Sequence, residues 1–453
     1  MHVHILGICG TFMGGIASIA KQMGHHVTGS DLNVYPPMST QLETIGIELI
    51  EGFAAQQLDL NPDCIVVGNV MTRGHAVIET MLERQIPMLS GPQWLRQNVL
   101  SDRWVLAVSG THGKTTTASM LAHILEYAGL QPGYLIGGVP NNFNQSARFG
   151  EPPFFVIEAD EYDTAFFDKR AKFVHYQPRT LILNNLEFDH ADIFRDLIDI
   201  QKQFHHAIKL VPASGKLIVN GEDENIAELL AMGCWSEQET FGSLPAHDWQ
   251  LQTRVGQTEF DVRVGQQHNI HCQFQQLGRY NAMNAVAAMA AARHVGVSPD
   301  VAGEALAQFS GVKRRLENKG EYAGITVYDD SAHHPTEIHC TLESFSQHYP
   351  EHRLIVVFEP RSNSMQMGSH VGALKAALAS ADKVFAYDTG QLDWSLNQVL
   401  TGLDCMIQNN INDLVLQLLA YLEPGDNVLI LSNGGFEGLC LKLITALQAQ
   451  TNQ

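Results

Sequence analysis

Short apolar runs alternate with amphipathic stretches along most of this chain. Many runs are rich in β-branched residues, and several are followed by a glycine-rich or polar turn and then by a helical spacing of apolar residues. Continuous apolar runs are typical of strands that are buried on both faces of a parallel sheet. The pattern therefore predicts a doubly wound α/β fold. The predicted strands lie in HVHILG, DCIVVGN, RWVLAVSG, PPFFVIEAD, RTLILNN, GKLIVNG, HRLIVVFEP, DKVFAYD and DNVLILSN.

The pattern divides into three units, which agrees with the roughly three domains expected from a length of 453 residues. We expect a Rossmann-like domain over 1–99 and a central P-loop ATPase domain with a mostly parallel sheet over 100–311. A second Rossmann-like domain is expected over 312–453. Within the central unit, 234–276 has a weaker and more polar β pattern, which predicts a long insertion.

The charge balance and the cysteines limit the possible partners and compartments. A net charge of −20 disfavours binding to nucleic acid or to an anionic membrane. Seven scattered cysteines without a C-x-x-C pair indicate free thiols in a reducing compartment. The uncharged N-terminus is interrupted by glycines and has no basic region, so it does not resemble a signal peptide. No apolar run reaches the ~20 residues of a membrane span, and we expect a cytoplasmic protein.

A candidate phosphate loop lies in SGTHGKTTT, directly after a predicted strand. Gly110 and Gly113 flank a tight turn, where backbone N–H groups and the start of a helix can bind phosphate oxygens. Lys114 is placed to neutralise phosphate charge, and the Thr115 hydroxyl is placed to bind Mg²⁺. Val108 occupies the position of the first glycine in the strict Walker pattern, so the loop is a variant. The alternative interpretation is a glycine-rich turn with a solvated lysine.

Acidic side chains follow two further predicted strands. Because the carboxyl ends of parallel strands meet at one edge of a sheet, these groups are expected beside the phosphate loop. Glu158, the first acid after its strand, and His190 are the preferred metal ligands. The alternative is that these acids cap helix N-termini. The other members of the two groups are Asp160, Glu161, Asp163, Glu187 and Asp189.

The N-terminal segment has the order strand, glycine turn, helix. Gly7, Gly10 and Gly14 resemble a dinucleotide-binding pattern, although Cys9 breaks its G-x-G-x-x-G spacing. Asp31 lies near the position where an acid binds a ribose hydroxyl. Binding of NAD and a purely structural glycine turn are therefore two open interpretations.

The chain contains, in this order, the motifs GTHGKTTT, EADEYD, NNLEFDH, GRYNAMNAVAA and DDSAHHPTE. The same motifs occur in this order in the Mur ligase family, which the chain resembles over essentially its whole length. This resemblance implies a three-domain, ATP-dependent enzyme that forms amide bonds in peptidoglycan metabolism. The segments HILGICGTFMGGIA, FVIEADEYDTAFFDKR and FEPRSNSM are similar to those of members that join UDP-N-acetylmuramate to L-Ala-γ-D-Glu-meso-diaminopimelate during murein recycling.

The resemblance implies a catalytic set formed by Lys114, Glu158, His190 and Arg315 around ATP and Mg²⁺. Thr115 and Glu158 are expected to hold one Mg²⁺, and His190 to help to hold a second. Arg315, or its neighbour Arg314, is expected to reach the ATP phosphates from the third domain. The residues implied in ATP binding are Gly110, Thr111, His112, Gly113, Lys114, Thr115, Thr116, Asn281, Asn284, Arg315 and Asp330.

The resemblance also implies where the other substrates bind. The turn from Gly10 to Met13 is expected on the diphosphate, and Asp31 and Asn69 near the nucleoside. His112 and the loop 137–150 are expected to face the sugar. Arg361, Ser362 and Asn363 are expected to recognise a peptide carboxylate, although an ordinary surface role is equally open. The residues expected to bind substrates are Gly10, Thr11, Phe12, Met13, Asp31, Asn69, His112, Arg361, Ser362 and Asn363, of which the last three are a hypothesis that does not come from the resemblance.

Five positions in three segments carry separate expectations. Phe204 and His205 stand where many family members have a lysine that is carbamylated to help to hold the second metal, so we expect no such lysine here. His333 and His334 have no cysteine or third histidine at metal-ligand spacing, and a nucleotide or substrate contact is preferred. Tyr280 replaces a histidine of several relatives.

The implied reaction activates the lactyl carboxylate of UDP-N-acetylmuramate as an acyl phosphate, which the amine of the tripeptide then attacks. The nearest alternative enzyme adds free L-alanine to the same sugar nucleotide. An NAD-dependent oxidoreductase and a non-catalytic nucleotide sensor are the alternatives from other classes. A monomer and a dimer are both compatible with the sequence.

Overall fold

The computed structural model describes residues 1–34, 38–254, 256–265 and 268–451. It has three α/β domains built on mostly parallel sheets, and all nine predicted strands form. Within the described part of the chain, none of the helices has the length and apolar character needed to cross a membrane.

The first domain has a five-stranded, fully parallel sheet in the order β3-β2-β1-β4-β5. This is the arrangement in which the first strand lies at the centre and the turn after it opens at the topological switch point. The elements are β1 (His2–Leu6), α1 (Thr11–Gln22), β2 (His26–Asp31), α2 (Met38–Thr44), β3 (Glu48–Glu51), β4 (Cys64–Val67), α3 (Ala76–Glu83), β5 (Met88–Ser90) and α4 (Gly91–Asn98).

The second domain contains a ten-stranded sheet in the order β17-β16-β15-β14-β13-β12-β6-β9-β7-β8. A separate hairpin, β10 with β11, follows β9. The elements are β6 (Trp104–Ser109), α5 (Lys114–Tyr127), β7 (Gly133–Leu135), β8 (Ala147–Arg148), β9 (Phe154–Glu158), β10 (Asp163–Ala165), β11 (Asp168–Ala171), β12 (Thr180–Leu183), α6 (Leu197–Ile208), β13 (Lys216–Asn220), α7 (Glu224–Ala231), β14 (Glu237–Gly242), β15 (Trp249–Thr253), β16 (Phe260–Val264), β17 (His268–Cys272), α8 (Arg279–His294) and α9 (Pro299–Ala307).

The segment 234–276 extends the central sheet and is not a separate insertion. Strand β14 pairs parallel with β13, and β15, β16 and β17 continue the same sheet. Its polar pattern arises because β14, β15 and β17 each have exposed residues, while Trp249 and Phe260 pack into the core. Residues 255, 266 and 267 of this segment lie outside the described residues.

The third domain has a six-stranded sheet in the order β18-β19-β23-β20-β21-β22, parallel except for the β18–β19 pair. The elements are β18 (Glu317–Tyr322), β19 (Ile325–Asp330), α10 (Pro335–His348), β20 (Leu354–Phe358), α11 (Asn363–Gln366), α12 (Val371–Ala377), β21 (Lys383–Tyr387), α13 (Leu396–Val399), β22 (Cys405–Gln408), α14 (Ile411–Tyr421), β23 (Asn427–Leu431) and α15 (Leu439–Thr451).

The apolar core ties the first two domains together. One continuous buried cluster runs from Val3 and Ile16 of the first domain to Phe155 and Ile157 on one face of the central sheet. The opposite face of that sheet is covered by α5 and α8. The boundaries between the domains, at 99/100 and 311/312, stay predictions.

Helix α8 is the alanine-rich stretch of the sequence, and every residue from Asn281 to Ala292 is buried. Small side chains let α8 approach both α5 and the sheet closely, because a packed interior has little free volume. This close approach sets the position of the phosphate loop, which precedes α5.

We expect Ala288→Leu to lower the free energy of unfolding by about 1–3 kcal/mol, because it forces extra methylene groups into a filled core. Ala420→Leu, at an exposed position of α14, is the matched control and should leave stability nearly unchanged. Urea titration followed by circular dichroism measures both variants. Equal effects of the two substitutions would contradict close packing of α8.

Candidate active site

The phosphate loop connects the end of β6 to the first residue of α5. Gly113 has φ of +77°, in the left-handed region, and a Cβ built there would lie 2.6 Å from Asn284 Oδ1. It would also lie 2.8 Å from Asn184 Nδ2. Only glycine suits both the backbone conformation and this contact. The loop is therefore pressed against α8 and the end of β12.

Lys114 folds back onto its own loop in this structure. Its Nζ donates to Gly110 O at 2.7 Å and to Glu161 Oε2 at 3.0 Å. Burial alone would lower the pKa of Lys114, but the carboxylates of Glu161, Asp160 and Glu158 outweigh it and raise the pKa. The lysine therefore stays charged inside the loop.

Glu158 lies at the end of β9, next to β6, as predicted from the parallel order. The Thr115 hydroxyl donates to Glu158 Oε1 at 3.1 Å, and the Gly137 N–H donates to Oε2 at 2.7 Å. Arg315 reaches across from the third domain and donates to Thr115 Oγ1 at 3.3 Å. Arg314 instead donates to carbonyls of the third domain, so the geometry selects Arg315 for the loop.

His190 lies beside a buried glutamate that the sequence reasoning did not assign. His190 Nε2 is 3.2 Å from Glu161 Oε1, and its Nδ1 is 2.7 Å from the Tyr162 hydroxyl. The Glu161 side chain is only 2 % exposed. Glu161 was one of several acids after β9, and nothing in its spacing distinguished it, because the backbone beyond Glu158 is irregular.

A cavity of about 160 Å³ lies between the second and third domains and brings together most of the expected ATP ligands. Asp330 is buried in its wall and accepts hydrogen bonds from the Ala332 and Leu316 N–H groups at 2.6 and 2.7 Å. Burial raises the pKa of Asp330 to about 6, although Arg315 opposes the shift. The expected residues that line the cavity are His112, Gly113, Thr116, Asn281, Asn284, Arg315 and Asp330, together with Tyr280.

His112 lies on the nucleotide side of the loop. It is placed between Glu187, with Nε2 to Oε2 at 3.4 Å, and Glu337 of α10, with Nδ1 to Oε1 at 3.3 Å. Burial alone would lower the pKa of His112, but Glu337 and Glu187 outweigh it and raise the pKa to about 9. His112 thus lines the cavity between the second and third domains and is not among the described residues that line the cleft of the first domain, because these carboxylates draw its ring towards the third domain. That it faces the sugar stays a prediction.

His334 also belongs to this cluster, in contrast to the expectation that no third histidine was placed near it. Its ring centre lies 4.6 Å from that of His112, and ligand atoms of His112, Glu187 and His334 all lie within 4.8 Å of one another. However, His334 Nδ1 accepts the Thr336 N–H at the start of α10, and Glu187 Oε2 accepts from the Thr336 hydroxyl. We therefore interpret the cluster as a contact between the domains at the nucleotide cavity.

A larger cleft of about 670 Å³ lies between the first and second domains. Asp31 in its wall also shapes the glycine turn, since its carboxylate accepts the Cys9 N–H at 2.9 Å and the Asn33 N–H at 3.3 Å. Glu158 and Gly137 of the second domain also line it, and the hydrogen bond from Thr115 to Glu158 connects the cleft to the phosphate loop. The predicted substrate residues that line it are Gly10, Thr11, Phe12, Met13, Asp31 and Asn69.

The third-domain candidates line a cavity of about 310 Å³ that also contacts His190 and Tyr162. Ser362 caps α11 by accepting the Met365 N–H at 3.3 Å, and Asn363 donates to Asp192 Oδ2 at 2.7 Å. These two side chains therefore have structural contacts, whereas the exposed Arg361 offers a guanidinium to this cavity.

Of the departures from the family pattern, Phe204 and His205 have contacts of their own, whereas Tyr280 lines the cavity between the second and third domains. Phe204 is buried and packs against Phe173, and His205 Nε2 is 3.1 Å from Gly233 O. Tyr280 is half-buried in the wall of this cavity, and removal from solvent raises its pKa.

Three family models match consecutive parts of the chain. The model "Mur ligase family, catalytic domain" matches 2–103, "Mur ligase middle domain" matches 108–292, and "Mur ligase, glutamate ligase domain" matches 314–434. Together they cover nearly the whole length of the chain.

Similar proteins bear ligase names. A UDP-N-acetylmuramate–L-alanyl-γ-D-glutamyl-meso-2,6-diaminoheptandioate ligase of Escherichia coli K12 is 52% identical over 99% of this chain and 98% of its own length. A UDP-N-acetylmuramate–L-alanine ligase of Desulfotalea psychrophila is 32% identical over 80% of this chain and 78% of its own length. The crystal structure of a murein peptide ligase from Psychrobacter arcticus 273-4 has 43% identity and a TM-score of 0.78, with 99% of each chain covered.

These matches confirm the predicted fold and ligase class, and the NAD-dependent oxidoreductase alternative is wrong. The chain belongs to the Mur ligase family, a family of ATP-dependent ligases.

Proposed function

We propose that this protein uses ATP to join the lactyl carboxylate of UDP-N-acetylmuramate to the amine of L-Ala-γ-D-Glu-meso-diaminopimelate, in the cytoplasm, during peptidoglycan recycling. The main support for this proposal is the position of Glu158. Glu158 lines the cleft of the first domain and at the same time accepts from Thr115 of the phosphate loop. A carboxylate at the end of that cleft would therefore meet the γ-phosphate of ATP bound at the loop.

The acceptor is proposed to be the tripeptide for two reasons. The relative that uses this tripeptide is 52% identical to the chain, whereas the L-alanine ligase is 32% identical. In addition, the cavity beside His190 is roomy and polar and has Arg361 at its edge, which suits a peptide with several carboxylates.

The donor set at the phosphate loop fits Mg²⁺, which prefers oxygen ligands. The Thr115 hydroxyl and the Glu158 carboxylate, which lie 3.1 Å apart, would hold one ion. His190 and the buried carboxylate of Glu161, which lie 3.2 Å apart, would hold a second. When bound, the ions neutralise charge on the transferred phosphoryl group. We propose that Glu161 provides the carboxylate that relatives obtain from a carbamylated lysine.

The chain's own residues then position the reacting groups. Lys114 is held within the loop by Gly110 O and Glu161, and it is proposed to turn to the phosphates when ATP enters. Arg315 adds a second positive charge from the third domain. Such preorganised charges stabilise the acyl phosphate and the later tetrahedral intermediate, from which phosphate leaves.

The third domain is proposed to close over the nucleotide through the His112–Glu337 contact. A protonated His112 is attracted to Glu337, so the contact is electrostatic and depends on pH. Closure excludes water from the activated carboxylate, as in other enzymes with hinged domains.

The first prediction of this proposal concerns the acceptor. With ATP and UDP-N-acetylmuramate present, kcat/KM for the tripeptide should exceed that for L-alanine by at least about a hundredfold, because the added groups contribute binding energy at the transition state. Phosphate release with each amine, and with neither, measures this preference. A preference for L-alanine would instead assign the de novo L-alanine-adding activity.

The second prediction concerns the phosphate loop. Lys114→Ala should lower phosphate release by about a thousandfold or more, because it removes the cation nearest the phosphates. Binding of UDP-N-acetylmuramate should persist, which calorimetry measures. Lys202→Ala on α6, whose lysine is half-exposed and pairs with Asp199, is the control and should behave as the wild type. Activity of Lys114→Ala within about tenfold of the wild type would overturn the phosphate assignment.

The third prediction concerns pH. Because the pKa of His112 is raised from 6.5 to about 9, its stabilising contribution is complete below about pH 6.5 and is lost as the pH rises through 9. The stability difference between the wild type and His112→Gln, from urea titrations, should therefore shrink by a few kcal/mol between about pH 6 and 10. Because both proteins contain the other groups that titrate in this range, the contributions of those groups cancel when the two stabilities are subtracted. A difference that stays constant would show that His112 is neutral in the folded protein.

A further inference from the structure

The cleft between the first and second domains is strongly acidic for a site that is proposed to take an anionic ligand. Among the described residues that line it, Asp31, Glu158 and Asp160 are acids and Lys172 is the single lysine or arginine. UDP-N-acetylmuramate carries a diphosphate and a lactyl carboxylate. Electrostatic repulsion must therefore be offset within the cleft.

Hydrogen bonds to the acidic side chains of the cleft offset part of this repulsion. Asp31 accepts two backbone N–H groups, and Glu158 accepts from Thr115 and Gly137. The start of α1 presents backbone N–H groups and a partial positive charge to the cleft. Among the described lining residues of the first domain there is nevertheless no lysine or arginine that could meet a diphosphate.

Lys172 supplies that charge from the second domain. It directly follows β11, is 8 % exposed, and its Nζ lies 3.0 Å from Asp160 Oδ2. The same Nζ lies 5.3 Å from the ring centre of Phe12, which belongs to the turn at the start of α1. A buried ammonium group thus stands above the first domain's glycine turn.

Stability alone is a weak reason for burying this pair. Removing two charges from water costs several kcal/mol per ion, and apolar replacements of buried pairs are often as stable. Asp160 takes one of the three N–H donors that a lysine offers. A ligand in the cleft can use the others.

The hairpin before Lys172 fixes its position against the first domain. Phe166, in the turn between β10 and β11, packs against the apolar cluster of the first domain that includes Leu6 and Phe53. Thr164 of the same hairpin lines the cleft. The lysine is therefore preorganised between the two domains before a ligand arrives, which reduces the entropic cost of binding.

We propose that the ammonium group of Lys172 binds an anionic oxygen of the sugar nucleotide, on the diphosphate or on the lactyl carboxylate, and that Asp160 holds it in place. This inference rests on the proposed function, because it takes the sugar nucleotide as the ligand of this cleft.

Calorimetric titration of the full chain tests the proposal. The variants are Asp160→Asn, the double variant Lys172→Met/Asp160→Asn, and Lys169→Met. The double variant removes the pair as a whole and leaves no unpaired buried carboxylate. Lys169 lies on the same hairpin, is 71% exposed and pairs with Asp163, so it is the matched control. The ligands are UDP-N-acetylmuramate, UDP-N-acetylglucosamine, which lacks the lactyl carboxylate, and ATP.

The double variant should bind UDP-N-acetylmuramate about ten- to a hundredfold more weakly than the wild type, as expected for a lost charge-assisted hydrogen bond. Asp160→Asn, which keeps the lysine, should lose less, and Lys169→Met should bind as the wild type. Affinity for ATP should stay the same in all variants. An equal loss for UDP-N-acetylglucosamine identifies the diphosphate as the partner, and no loss for that ligand identifies the lactyl carboxylate.

Unchanged affinity of the double variant for UDP-N-acetylmuramate would overturn the assignment of Lys172. An equal loss for ATP would also overturn it, since it would indicate a general structural defect. Failure of the wild type to bind UDP-N-acetylmuramate is a different outcome, because it would refute the proposed function itself.

Discussion

Parallel pairing of β6 with β9 on one side and β12 on the other is the constraint on which the site depends. The register places Glu158 opposite Val108 and Leu183 opposite Ser109, so the three strands end at the same edge of the sheet. The phosphate loop, Glu158 and the segment that leads to His190 therefore begin side by side at this edge. Without this pairing, residues far apart in the sequence would have no reason to converge on one phosphate group.

Buried pairs of oppositely charged side chains recur at the candidate binding sites. Lys114 pairs with Glu161 at the phosphate loop, Lys172 pairs with Asp160 in the cleft, and His112 lies next to Glu337 at the closing third domain. Each pair joins a cation to an acid from another element, and each lies in a wall where an anionic substrate is proposed to bind. Apolar residues in place of a whole buried pair are often as stable, although removal of one partner alone is costly. We interpret them as cations that are kept charged and in place until phosphate or carboxylate oxygens arrive.

The sequence predicted those features that depend on local pattern. Apolar runs identified the strands, and the glycine and lysine spacing identified the loop at Lys114, because both follow from backbone geometry within a few residues. The contacts of Glu161 and His112 could not be predicted from the local pattern. His190 adopts φ of +56°, and the contacts of His112 come from α10, far along the chain. Irregular backbone and contacts between domains have no periodic signal in the sequence.

The prediction of an insertion at 234–276 was wrong for a related reason. Its strands are half exposed, so their pattern differs from that of the central strands even though they share one sheet. The proposed role of Lys172 could not be predicted from the sequence either, since the sequence shows it only as one of several basic residues near a hairpin. That role depends on the position of Lys172 beside Phe12, which lies in another domain and approaches it only in the folded chain.

The three cavities explain why this chemistry needs three domains. Glu158 lines the cleft between the first and second domains, the cavity proposed for the nucleotide lies between the second and third domains, and Arg361 and His190 line the third cavity. In the proposed reaction, a carboxylate, a phosphoryl group and an amine would approach one point from three directions without displacing one another. Because Arg315 and Glu337 belong to the third domain, we propose that the nucleotide is enclosed only when that domain is in place. Domain closure would then link ATP binding to the protection of an activated carboxylate from water.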